Sequence, residues 1–521
     1  MSDLPEKFQY DSCVSRGICS VSPRTTALVI VLVLYLKLTA KYLLRLSEKN
    51  IEDSEAKELV LNASASSSYE FSEKSFFCFV SKFKEILPRI IKNCSDLFED
   101  DFFKHEKIGS SALFQETDNI IDAIKLGEKI IKSTVSAIPP AMRDLHQIVL
   151  VISRSLSINL LNLESFGVEF DGGFSALLTL LDSIDTDENS AGKIKESILK
   201  GAKTDNEVMA KLREAQEERY GKQGISEVSY TTTQGKAVLV VGSNIRELET
   251  ILEALKGKNI DVYTHDDMML AHTFPKFNEY NALKGQFGQG VENCLLDFAT
   301  FPGPIILTGH SLHNIENLYR GRLFTTDINL PKGVVQIKND DYSAVIESAY
   351  ESKGFKNGRV CESVIIGYDF DTVLEKVKIK VAGGIKRIFA LGSDVYSHEQ
   401  KSYFEKLVKL ADRNTLFISF SYKFELDNFI YVNTCFDKYG MIKILNEVRR
   451  FGIPVTVFFP ECGRSTLSEM IYLSKCEEFK IYVGKCIPII LNPSLIQTLD
   501  WVFGIKSMTT ARQDWEDITS S

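Results

Sequence analysis

The chain has 521 residues, of which 44% are hydrophobic and 25% charged, with a formal net charge of −9. That length is too great for one compact core and sets an expectation of two to four domains in an ordinary soluble globular protein. The acidic balance comes without a long acidic run, and no basic patch interleaves with aromatics, which excludes nucleic-acid binding as a reading.

The first 220 residues read as helical. Ala27 to Leu36 is an unbroken apolar run ended by Lys37, with Lys41 following. That is short of the roughly 20 residues needed to cross a bilayer, so a buried helix is expected, with membrane contact as the alternative. Asp3 and Glu6 precede it, which does not suit a signal or transit peptide. Phe76, Phe77, Val80, Phe83, Ile86 and Leu87 recur at helical spacing. Pro139-Pro140 and Asp171-Gly172-Gly173 punctuate this half, and the charged stretch Lys203 to Gly224 ends it.

After that, strands and helices alternate. Lys236 to Val241, Ile260 to Tyr263 and Pro304 to Leu307 are short apolar strands, with a helix over Arg246 to Lys256. A second series runs through Val364 to Ile366, Ile388 to Leu391, Leu416 to Ile418, Phe429 to Val432, Val455 to Phe458 and Ile481 to Val483. Helices are expected over Lys438 to Arg450 and Thr466 to Ser474. This alternation predicts an α/β protein: a helical-bundle domain (1–224) followed by two Rossmann-like parallel-sheet domains (225–360 and 361–521). Gly242-Ser243-Asn244-Ile245 lacks the glycine spacing of a dinucleotide fingerprint, and no Walker A loop exists.

The ten cysteines (13, 19, 78, 94, 294, 361, 435, 462, 476 and 486) form no C-x-x-C pair and no zinc-finger spacing. They read as reduced thiols of an intracellular protein, in the cytoplasm or a mitochondrion-related organelle.

Four strand-like runs close on serines, in Val241-Gly242-Ser243-Asn244, Leu307-Thr308-Gly309-His310-Ser311, Leu391-Gly392-Ser393-Asp394 and Ile418-Ser419-Phe420-Ser421. Together with Asp261 to His272, Phe298 to Gly303, Gly321 to Thr326 and Val432 to Asp437, they resemble the hybrid-cluster protein (prismane, hydroxylamine reductase) family. The resemblance implies a three-domain fold, a four-cysteine cubane near the N-terminus and an iron–sulfur–oxygen hybrid cluster. It also implies reduction of hydroxylamine to ammonia.

Position by position, the resemblance puts the family's histidine ligand on Ser243 and its first glutamate on Asp267. Its cysteines fall on Ser311, Ser393 (the persulfide position), Ser421 and Cys435, and its last glutamate on Glu461. Only Cys435 keeps a thiol. Cys13 and Cys19 match the second pair of cubane cysteines, and no cysteine stands before them. Iron–sulfur clusters need soft thiolates, whereas a serine hydroxyl is a hard donor that ionises only at great cost. A persulfide has no counterpart on serine.

The expectation is therefore a noncatalytic homologue without cofactor, a structural or interaction subunit with protein partners in a larger assembly. Three alternatives stand beside it. One is an iron–sulfur oxidoreductase with an altered cluster. Another is a hard divalent metal on Asp267 and Glu461 with His310 or His265 nearby. The last is serine hydrolysis with His310 or His265 as base, for which no G-x-S-x-G elbow exists.

Overall fold

The computed structural model describes residues 23–67, 72–98, 112–184, 191–288, 294–309, 317–392, 398–420, 427–434, 437–460, 464–484 and 494–520. Among these, the chain forms two compact units. One holds Val21–Leu212 and Gly309–Lys338, the other Arg213–Thr308 and Asn339–Ser521.

The first unit is helical. Its elements are α1 (Pro23–Ser47), α2 (Ser54–Ser66), α3 (Glu73–Leu97), α4 (Ile120–Ala137), α5 (Pro140–Glu164), α6 (Gly173–Asp182) and most of α7 (Ala191–Tyr220). Helix starts are written into the sequence. Asp53, Ser72 and Asn119 each accept a hydrogen bond from a backbone N–H three residues on, at 3.1, 3.0 and 2.9 Å. On α3, Phe76, Phe79, Val80, Phe83, Ile86, Leu87, Ile90 and Ile91 are buried on one stripe, while Pro88 sits on the exposed side. Each large apolar side chain so buried contributes roughly 1.5–3 kcal/mol.

Helix α1 is longer than the apolar run suggests, because it continues past Lys37 and Lys41, both half-buried. By length and composition Arg24–Ser47 could cross a membrane, with a mean hydropathy of 2.0, yet 61% of that window is buried inside the protein. It packs against α3, α4 and α6. Tyr35 stacks on Phe83 and Phe114 at 5.6 and 6.1 Å, its hydroxyl 2.6 Å from Thr117 Oγ1, and burial pushes its pKa up to about 12. Two short parallel strands, Leu323–Thr325 and Val335–Gln336, belong to this unit. Ser75 Oγ donates to Asn329 Oδ1 (2.5 Å) and accepts from Leu330 N (2.9 Å), which fastens their connecting loop to α3.

The second unit carries two parallel sheets. After β1 (Ser226–Ser229), the first sheet sets β4 (Leu283–Gln286), β3 (Ile260–His265), β2 (Lys236–Val241) and β5 (Ile305–Leu307) side by side in that order. In the second, the order is Phe429–Tyr431, Thr415–Ser419, Arg387–Leu391, Val455–Phe459, Phe479–Val483 and Ile505–Ser507. All of its pairings are parallel. The central strands are buried along nearly their whole length, as strands covered on both faces require. Phe389, Phe417 and Phe458 build one aromatic layer, covered by Phe404, Leu407 and Ile518 from His398–Lys409 and Ala511–Ser520.

Val364 to Ile366 does not begin a parallel series. Ser363–Ile366 pairs antiparallel with Ser226–Ser229, and further bridges at Thr232–Arg359 and Gly235–Phe355 extend this ribbon. The alternation Ser363, Ile365 outward and Val364, Ile366 inward is that of a half-exposed strand.

Beside the ribbon lies a buried ion pair. Arg213 on α7 donates to Asp437 with two parallel bonds, Nη1 to Oδ2 at 2.8 Å and Nη2 to Oδ1 at 2.7 Å. The side chains are only 8% and 1% exposed. Burial alone would push the guanidinium down, but Asp437 more than offsets this and holds its pKa above the ordinary value.

Helix α4 approaches α1 so closely at Gly127 that a Cβ there would lie 2.2 Å from the Ala27 carbonyl oxygen. Gly127→Ala should therefore destabilise the helical unit by about 1–3 kcal/mol despite alanine's better helix propensity, read as a lowered urea midpoint. An unchanged or raised midpoint would mean that the two helices separate at no cost.

Candidate functional site

The geometry of a parallel sheet decides where the candidate residues emerge. Val241 pairs with His265 and with Leu307, so β2, β3 and β5 end level. Ser243 and Asp267 each follow their strand's last residue by two positions and leave the same sheet edge, the edge where open α/β sheets carry their ligands. Both are half-buried. Thr308, one residue past β5, ties the edge together, its N–H and hydroxyl both donating to Val241 O at 2.8 and 2.9 Å.

The turn after β2 favours a helix and disfavours a phosphate site. Gly242 takes a left-handed φ of +120°, and Asn244 then caps the helix Ile245–Ala254, accepting from the N–H groups of Arg246 and Glu247. Donors that would cradle an anion are already occupied by that carboxamide.

After β3 the chain turns at Asp266, a non-glycine residue at φ +59°, into a tight 3-10 helix over Asp266–Thr273. Aspartate is among the few side chains that visit this region readily. Gln286 braces the turn. With its amide nitrogen toward Thr264 O (3.0 Å) and Oγ1 (2.6 Å), its oxygen accepts from Asp266 N at 3.0 Å.

Two histidines flank the turn, and both are committed elsewhere. His265 is fully buried, with Nε2 3.1 Å from Asp297 Oδ2, its ring edge-on to Phe298 at 5.3 Å, and Nδ1 without a hydrogen-bond partner among the described residues. His272 Nε2 lies 2.9 Å from Thr264 Oγ1, and burial pushes its pKa down to about 4, so the ring is neutral at neutral pH. Neither arrangement presents an imidazole to a substrate at Ser243. Asp297 and Gln286, which hold this edge in shape, carry no signal in the sequence, because each meets its partner from a distant strand or helix.

The remaining candidates follow strands of known position. Ser393, Ser421 and Glu461 each come two residues after the strands ending at Leu391, Ser419 and Phe459, and Cys435 four after Tyr431. Those strands are neighbours in register, pairing Ser419 with Leu391 and Tyr431, and Leu391 with Phe458. The side chains of Ser311, Ser393, Ser421, Cys435, Glu461 and His310 lie outside the described residues, as do Cys13 and Cys19. Among the described residues, no group of three or more His, Cys, Asp and Glu is placed to hold a metal ion.

The chain belongs to the Prismane/CO dehydrogenase family, which matches residues 9–421. It is 25% identical to a hydroxylamine reductase of Thermodesulfovibrio yellowstonii, covering 97% of both chains. It is 24% identical to one from Acidiphilium cryptum, covering 96% of this chain and 95% of the relative. Among solved structures it is similar to carbon monoxide dehydrogenase IV from Carboxydothermus hydrogenoformans, at 12% identity and a TM-score of 0.47, covering 96% of this chain and 88% of that one.

The edge described here presents a hydroxyl and a short carboxylate, Ser243 and Asp267, with His265 buried against Asp297. Hard oxygen donors of this kind do not fit an iron–sulfur centre.

His272 also predicts an acid response. Its pKa falls from about 6.5 unfolded to about 4 folded, so its contribution is complete above pH 6.5 and is lost as the pH drops toward 4. The loss should be on the order of 3 kcal/mol. In urea titrations at pH 7 and pH 4.5, His272→Gln should narrow the difference in unfolding free energy between the two conditions. An equal difference in variant and parent would show that His272 titrates normally.

Proposed function

We propose that this chain is a noncatalytic member of its family, retained for its folded shape and working through protein contacts as a subunit of a larger assembly. The observation that carries this reading is the donor set. Oxygen side chains stand at Ser243, Asp267, Ser311, Ser393, Ser421 and Glu461, and one thiol, Cys435, stands with them. Iron in an inorganic sulfide core is held by thiolates, and serine supplies neither a thiolate nor the persulfide that the resemblance implies. The local geometry supports the same reading. The nearest described imidazoles serve the fold, one buried against Asp297 and one against Thr264.

Family membership does not by itself carry an activity, since function resides in the site. A second reading has its own support, because relatives aligned over 97% and 96% of this chain bear the name hydroxylamine reductase. In that reading the protein is an iron–sulfur oxidoreductase with an altered cluster. A third keeps the oxygen donors and places a hard divalent ion on Asp267 and Glu461.

Purification of the native protein under anaerobic conditions separates these readings. The scaffold reading expects a colourless, folded protein without iron or acid-labile sulfide and without hydroxylamine-dependent oxidation of reduced viologen. A brown protein with several irons per chain and measurable turnover would overturn it. Stoichiometric magnesium, calcium or manganese, released by chelator, would instead favour the divalent-ion site.

A further inference from the structure

We propose that the buried pair Arg213–Asp437 is a latch joining the halves of the two-sheet unit, distinct from the interactions that hold either sheet together. Among the described residues, the pair gathers groups from several segments. Asp437 caps the helix Lys438–Val448 of the second half, accepting from Gly440 N at 3.0 Å. Phe274, which ends the turn after β3 in the first half, lies with its ring 5.6 Å from the Arg213 guanidinium, and Tyr439 lies 6.0 Å away. Tyr368, just past the ribbon strand Ser363–Ile366, donates to Asp437 Oδ2 at 3.4 Å. Gln223, at the ribbon's other entry, accepts from Arg213 Nη1.

None of these residues belongs to a strand of either sheet, and the aromatic layer of the second sheet is complete without them. A buried guanidinium whose carboxylate is removed, or the converse, leaves one uncompensated charge in the interior. The cost therefore falls where the halves meet. Space at the latch is fully used: a Cβ at Gly440 would lie 2.2 Å from Tyr368 Oη and 2.5 Å from Asp437 Oδ2. Asn433 adds a bond on the ribbon's outer side, donating to Ile365 O at 2.6 Å.

Hydrogen–deuterium exchange of the full-length protein and its Arg213→Met variant tests the assignment. Peptides covering 225–235, 355–369 and 438–442 should exchange about a hundredfold faster in the variant. Peptides covering 237–241 and 455–459, in the two sheet cores, should keep their protection. Equal acceleration in all of these peptides would make the pair an ordinary contributor to global stability and overturn the latch. So would no acceleration anywhere. Should Arg213→Met fail to fold, Arg213→Lys keeps the charge and loses the two-bond fork. It should then show the same regional contrast at about tenfold, and a uniform response would again defeat the proposal.

Discussion

A guanidinium taken out of water must have its donors and charge met inside the protein, and the two-sheet unit is built around one such event. Arg213 and Asp437 are far apart in sequence, and each is useless in the interior without the other. Their geometry demands that α7, the turn after β3 and the start of the helix Lys438–Val448 arrive at one place together. The rest of the unit can be read as what makes that arrival affordable. Two sheets supply apolar burial, and the ribbon of Ser226–Ser229 and Ser363–Ile366 leads the chain into the first sheet and then on to the second.

The parallel pairing has a consequence for chemistry that is independent of any metal. Strands that run the same way and end level deliver their following residues to one edge, whatever those residues are. The strands themselves draw their stability from buried faces and ladder bonds, not from the residues that follow them. Ser243 and Asp267 illustrate this. Near them, Asn244, Gln286, Thr308 and Asp297 each make a hydrogen bond within the protein.

Much of this was legible from residue order, and the parts that were not have physical reasons. Apolar β-branched runs such as Lys236–Val241 and Val455–Phe459 read directly as strands, since both their faces are buried. Leu283–Gln286 did not, because Lys284, Gly285 and Gln286 serve an edge position and a close approach to Ser229, not a core. Val364 to Ile366 looked like a parallel strand because a half-exposed strand with three apolar residues cannot be told from a buried one by composition. Helix α1 outran its apolar run because lysine stems can lie along apolar surface while their charges reach solvent. At the site, the strand-end positions of Ser243 and Asp267 could be read in advance. The commitment of His265 to Asp297 and of His272 to Thr264 could not, since both are contacts made only by the folded chain.

The burial of α1 bears on how the protein is made. Arg24–Ser47 leaves the ribosome well before Glu73–Leu97, Ile120–Ala137 and Gly173–Asp182, the helices that cover it. In that interval a segment apolar enough to enter lipid has no partner of its own. Nascent chains are thus open to capture by chaperones or by the membrane-insertion machinery until the bundle closes.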